Sequence, residues 1–112
     1  MNFRQLARTN IQVSPVALGC MSLCGNATYD DIPVDQAVAT VHAAFDAGIN
    51  FFDNAPMYGD GEAERRVGIA LSGTPRDKVI IADKISSQRM DAHEVQTECE
   101  KSLKLLQTDY ID

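Results

Sequence analysis

Short apolar runs alternate with stretches of helical periodicity along this chain, and that alternation narrows the fold more than any other feature. The runs are Pro15-Val16-Ala17-Leu18-Gly19, Ile49-Asn50-Phe51-Phe52 and Lys78-Val79-Ile80-Ile81-Ala82. They recur at roughly 30-residue intervals with a helix-like segment after each, the pattern of βαβ units and a parallel sheet. The third run is continuously apolar rather than alternating, which suits a strand covered on both faces. In such sheets ligands bind at the C-terminal strand ends, so an ionisable residue there reads as chemistry.

The helices follow from spacing. Val34, Ala37, Val38, Val41, Ala44 and Phe45 fall on one stripe, with Pro33 as the first helical position and Gly48 as the C-terminal cap. His42 lies beside that stripe as an ordinary helix histidine. A second helix over Glu62–Leu71 would bury Val67, Ala70 and Leu71 and start from Asp60 or Glu62 as its cap. Gly68 within it costs about 1 kcal/mol relative to alanine, so it predicts close packing on the sheet. A third helix begins at Asp91, where Glu94 three residues on has the spacing of a capping box; its stripe is Val95, Cys99, Leu103 and Leu106. Ahead of all this, Phe3–Leu6 and Val13-Ser14 form a small hairpin turning through Asn10, a residue that tolerates positive φ. Tyr110-Ile111-Asp112 reads as the start of a fourth strand.

The strand ends carry the chemistry. Phe52 runs into Asp53, then a turn-rich segment with Pro56, Gly59 and Gly61 brings Tyr58 five residues on. The next strand ends in Asp83-Lys84. Taken singly, Asp53 would cap a loop, Tyr58 would pack and Lys84 would be a solvated strand end. Taken together, Asp53-Asn54-Ala55-Pro56-Met57-Tyr58-Gly59, Lys84 and the stretch Ser102–Asp112 resemble the aldo-keto reductases. The resemblance spans essentially the whole chain. It implies a fold that is the N-terminal part of a (β/α)8 TIM barrel, about three and a half repeats preceded by a short β-hairpin. A complete barrel needs ~250 residues, so residues 1–112 are expected to be the N-terminal portion of a single barrel domain.

The same resemblance implies the reaction, NAD(P)H-dependent reduction of an aldehyde or ketone. Hydride would come from the cofactor, NADPH in most of the family, and the proton from Tyr58. A phenol of reference pKa ~10 is a sluggish acid near neutrality, and an adjacent ammonium favours its phenolate. Lys84 would supply that ammonium, and Asp53 would keep it charged and oriented. The family's catalytic histidine follows the fourth strand and is not in this sequence. Gly19, Cys20 and Met21 match the loop that approaches the nicotinamide ribose, so these residues and Asp53 are the expected cofactor contacts. Asp83 stands where the family commonly has threonine or serine; period-two geometry turns it away from Lys84, so its expected effect is minor.

Composition bounds the partners. The chain carries a net charge of −6, which argues against nucleic acid and anionic membrane surfaces. No stretch approaches the ~18 apolar residues of a spanning helix, and the first residues have no apolar signal region. Three cysteines, Cys20, Cys24 and Cys99, match no zinc spacing and read as reduced thiols of a cytoplasmic protein, with no metal site. Two other functions share these residues. One is a non-enzymatic, reductase-like subunit of the potassium-channel β type. The other is a Schiff-base aldolase, whose lysine must be neutral to attack, whereas Asp53 would hold Lys84 charged.

Overall fold

The computed structural model describes residues 1–86 and 90–112. A hairpin of β1 (Arg4–Gln5) and β2 (Gln12–Val13) precedes a three-stranded parallel sheet in the order β3 (Leu18–Gly19), β4 (Phe51–Asp53), β5 (Ile80–Ala82). Helices α1 (Val34–Asp46), α2 (Glu62–Leu71) and α3 (Ala92–Leu106) follow the three strands in turn. Leu18 stands opposite Phe52 and Gly19 opposite Asp53; Phe52 pairs with Ile81 and Asp53 with Ala82. This register fixes which strand-end residues become neighbours.

The hairpin closes differently from the expectation. Ala7, not Asn10, takes the left-handed conformation, with φ of 48°. Thr9 makes that tolerable, since both its amide (3.0 Å) and its hydroxyl (2.6 Å) donate to the Leu6 carbonyl. The first strand is also shorter than its apolar run. Val16 is 57% exposed, and pairing with β4 begins at Leu18, so Pro15–Ala17 lie outside the ladder. Cys20–Leu23 then form a 3₁₀ turn that plants Cys20 and Leu23 in the core.

Helix α1 buries Ala37 and Val41, with Val38 and Phe45 packed against the same cluster. Pro33 is its N-cap rather than its first helical residue, its carbonyl accepting the Ala37 amide at 3.1 Å. Gly48, at φ of 92°, ends the helix by donating to the Phe45 carbonyl. His42 is exposed, and its Nε2 lies 2.7 Å from the Ala70 carbonyl of α2. The shared core joins Phe52 and Ile81 of the sheet to Leu23, Val41, Val67 and Val79, with Phe52 fully buried. Burial of a side chain of that size contributes about 1.5–3 kcal/mol.

Helix α2 starts on Gly61, in a left-handed conformation with no side-chain cap; neither Asp60 nor Glu62 takes the role. Glu62 turns instead to Arg65 Nη2 (2.6 Å) and Arg66 Nε (2.7 Å). Gly68 does permit close packing, but on α3 rather than on the sheet. A methyl there would overlap the Leu105 carbonyl oxygen and lie 2.8 Å from the Leu106 carbonyl carbon. That approach rotates α3, so its buried residues are Ser102 and Leu106, while Cys99 and Leu103 are half-buried and Val95 is exposed. Asp91 caps α3 as its spacing predicts, accepting the Glu94 amide at 2.9 Å.

No strand forms over 110–112. Asp112 reaches the edge of β5 through one backbone bond, its amide to the Ile81 carbonyl at 3.1 Å, and its carboxylate accepts the Ile81 amide at 3.0 Å. Arg76 gathers this segment, binding the Asp112 carboxylate (2.7 Å), the Tyr110 carbonyl (2.9 Å) and Thr108 (2.8 Å) and stacking on the Tyr110 ring. A side chain stands in for the second ladder bond.

Candidate active site

Side chains alternate across a strand, and this parity sorts the residues at the strand ends. Phe52 and Ile81 face the helices and are buried. Asp53 faces the other way, and so does Lys84, three residues beyond Ile81. The Lys84 ammonium donates to Asp53 Oδ1 at 2.7 Å, to the Asn54 carbonyl at 2.8 Å and to the Tyr58 hydroxyl at 3.1 Å. It also sits 4.9 Å from the centre of the Tyr58 ring. Asp53, Asn54 and Tyr58, from one strand end and its loop, thus converge on the nitrogen of Lys84 from the next strand, at the C-terminal mouth of the sheet.

Local sequence explains how Tyr58 returns over the strand ends. Its amide donates to the Ala55 carbonyl at 3.1 Å, and Gly59 and Gly61 take positive φ just after it. The Tyr58 carbonyl then accepts the amide of Ala63 in the first turn of α2. Cys24 packs under Gly59 so closely that a methyl there would meet its sulfur. The tyrosine is therefore held by the helix start on one side and the core on the other.

Electrostatics favour a charged lysine. Partial burial pulls the Lys84 pKa down, but the hydrogen bonds it donates to Asp53 and Tyr58 outweigh it and leave it above the ordinary lysine value. The side chains of Lys84 and Asp53 remain 41% and 47% exposed. The ion pair is thus worth about 0–1 kcal/mol to stability; what it fixes is orientation. Asn54 was not foreseen. Its side chain is fully buried, with Oδ1 accepting the Ala55 amide and Nδ2 without a partner among the described residues. A carbonyl acceptor leaves no residue-type signal in a sequence.

The residues after β3 divide. Gly19 stands beside Asp53, with nothing within 4 Å of where a Cβ would be. Met21 is half-buried. Cys20 is fully buried; its thiol turns to the Leu18 carbonyl, and burial followed by the nearby Asp53 charge pushes its pKa up to about 12. The whole residue is enclosed, so Cys20 offers a ligand no open surface here, against the expected cofactor contact. No cluster of metal-ligating side chains exists among the described residues, and no described helix is long and apolar enough to cross a membrane.

This parallel-sheet mouth, with an ammonium shared by a carboxylate and a phenol, defines a recognisable class. The family model for the aldo/keto reductases matches residues 15–112, and the chain belongs to that family. It is 36% identical over 118 residues to L-galactose dehydrogenase of Arabidopsis thaliana, covering all of this chain and 36% of that protein. It is 31% identical over 121 residues to a chain of Oryza sativa subsp. japonica named for the β subunit of a voltage-gated potassium channel, again covering 36% of it. Among solved structures, the aldo-keto reductase of Klebsiella pneumoniae in complex with NADPH matches with a TM-score of 0.79 and 36% identity, over 90% of this chain and 34% of that one. The chain thus spans about a third of the length of these relatives. Its hairpin and three β/α units are the opening part of their (β/α)8 barrel.

Proposed function

We propose that residues 1–112 are the N-terminal portion of a single barrel domain that reduces aldehydes or ketones with NADPH. The observation that carries this reading is the Lys84 ammonium, bonded at once to Asp53 and Tyr58 at the strand ends. Among an alcohol's two new hydrogens, the carbon-bound one is the hydride that a reduced nicotinamide supplies. The oxygen-bound one is assigned to Tyr58. Loss of that proton leaves a negative phenolate oxygen 3.1 Å from Lys84, where a fixed positive charge stabilises it as it develops. Asp53 holds the ammonium in place, so little reorganisation is needed during the transfer.

The residues present fit a nicotinamide ribose. Gly19 leaves open space beside Asp53, and the half-exposed carboxylate offers acceptors for ribose hydroxyls. Gly19, Met21 and Asp53 are assigned to that contact; Cys20, fully buried, is left out of it. The charged state of Lys84 disfavours a Schiff base, since the attacking amine must be neutral. A non-enzymatic subunit has one observation in its favour, the similarity to the Oryza sativa chain. Spectroscopic titration with NADPH, then a panel of aldehydes and ketones, separates the two readings in the barrel completed beyond Asp112. Carbonyl-dependent oxidation of NADPH supports the enzyme; binding without turnover across the panel supports the subunit. Residues 1–112 cover about a third of these relatives, so on their own they are expected to show no turnover.

A further inference from the structure

Behind the mouth, on the helix-covered face, lies a second group of ionisable residues. Asp83 follows β5 with the parity of Ile81 and so points under α2, where Glu64 is 1% exposed. The two carboxyls lie near enough to one another and to the Ser102 hydroxyl of α3 for each to bear on the other's charge. Glu64 Oε1 and Asp83 Oδ2 are both buried, and neither has a hydrogen-bond donor among the described residues. Asp83 Oδ1 accepts the backbone amide of Lys84 at 2.9 Å. Two ionised carboxylates cannot satisfy each other, whereas a single proton between them turns one acceptor into a donor.

We propose that Glu64 and Asp83 share one proton and act together as positioning residues for Lys84, fastening α2 and α3 to the strand end from which the ammonium reaches Asp53. The tie runs from Ser102 through Glu64 to Asp83, and from Asp83 to the backbone of Lys84. Desolvation drives it, raising Glu64 to about 7 and Asp83 above its ordinary value. Among the described residues, the charged groups facing the pair are few. Lys84 offsets negative charge from the strand end; on α3, Glu98 adds to it, and Lys101 is taken up by Glu98 at 2.9 Å. Loss of the shared proton leaves two buried negative charges side by side. The junction then loosens, and Lys84 leaves Asp53. The inference concerns where Lys84 is held, so it stands or falls separately from the role of Tyr58.

Two measurements on the 112-residue chain test it. Infrared titration should show a protonated-carboxyl C=O stretch persisting to near neutral pH, its loss moved to lower pH in both Asp83→Asn and Glu64→Gln. Reductive methylation, read lysine by lysine by peptide mass spectrometry, should show Lys84 labelling rise about tenfold relative to Lys78 over the two pH units in which one proton is lost. In Asp83→Asn the amide supplies a permanent donor, so the Lys84 step at neutral pH should vanish while circular dichroism stays unchanged. Glu64→Gln should remove the same step, which keeps the test sound if either variant folds poorly. A carboxyl band whose titration is unmoved by both substitutions overturns the proposal. So does a Lys84 profile that follows Lys78 at every pH.

Discussion

Asp53 and Asp83 both sit at the ends of neighbouring parallel strands, yet the fold gives them opposite chemistry. Asp53 ends β4 on the open face and bonds a lysine at 2.7 Å. Asp83, just past β5 on the covered face, meets the buried carboxyl of Glu64. Residue type is identical in the two cases; strand parity and the helix overhead decide which one becomes a charged anchor and which an acid. The open site is soft and weakly coupled to stability, since its ion pair is half exposed. The covered site is coupled to stability, because every change of charge there is felt by α2, α3 and the sheet.

Four substitutions would break or sharpen that contrast. The largest effect is expected from Lys84→Met in the completed barrel, which removes the ammonium from both Asp53 and Tyr58. Turnover should fall about 10²-fold or more, the usual scale for positioned proton transfer, and steady-state kinetics reads it. Gly68→Ala should come next, because its methyl meets backbone that cannot swing aside. A loss of about 1–3 kcal/mol is expected in denaturant unfolding, from the covered side alone.

Asp83→Asn should alter the shape of the pH–stability curve more than its height. Glu64 is raised from 4.5 to about 7 in the folded chain, so the folded state holds more protons between those values. Stability should therefore fall as pH rises through that window and level off above it. Glu62 behaves oppositely: the hydrogen bonds from Arg65 hold it down at about 2, and its contribution is lost as pH falls from 4.5 towards that value. In Asp83→Asn the fall between pH 4.5 and 7 should shrink, because only the Asp83 share of the shift is lost and desolvation stays, while the acid limb remains, as denaturant midpoints across pH would show. Asp91→Ala should have the smallest effect, about 1 kcal/mol from a lost N-cap, far from both sites.

Much of this was legible in the residues, for reasons that differ from site to site. The runs ending at Asp53 and Lys84 announce strands, and equal parity beyond paired residues puts both side chains at one mouth. Tyr58 was legible because Pro56 and Gly59 bend the segment after Asp53. The covered pair was not legible. Glu64 lies in a helix whose apolar stripe shows only Val67, Ala70 and Leu71, and its burial depends on α3 closing over it through Gly68. Period-two geometry turns Asp83 from the Lys84 ammonium and suggests only a minor effect, but what Asp83 turns towards is a tertiary fact. The same holds for Gly61 at the start of α2 and for Arg76, whose bonds to 108–112 replace the expected fourth strand. Contacts between residues far apart in sequence decide each of these, and no local pattern records them.

Tyr58→Phe in the completed barrel is the most direct measurement. The substitution removes one oxygen and leaves the ring, the Lys84–Asp53 pair and the strand-end contacts in place. Carbonyl-dependent NADPH oxidation should be almost abolished, while the Kd for NADPH, read by fluorescence titration, should stay nearly unchanged. Turnover equal to that of the unsubstituted barrel would contradict the assignment of the proton to Tyr58, and with it the account of the mouth.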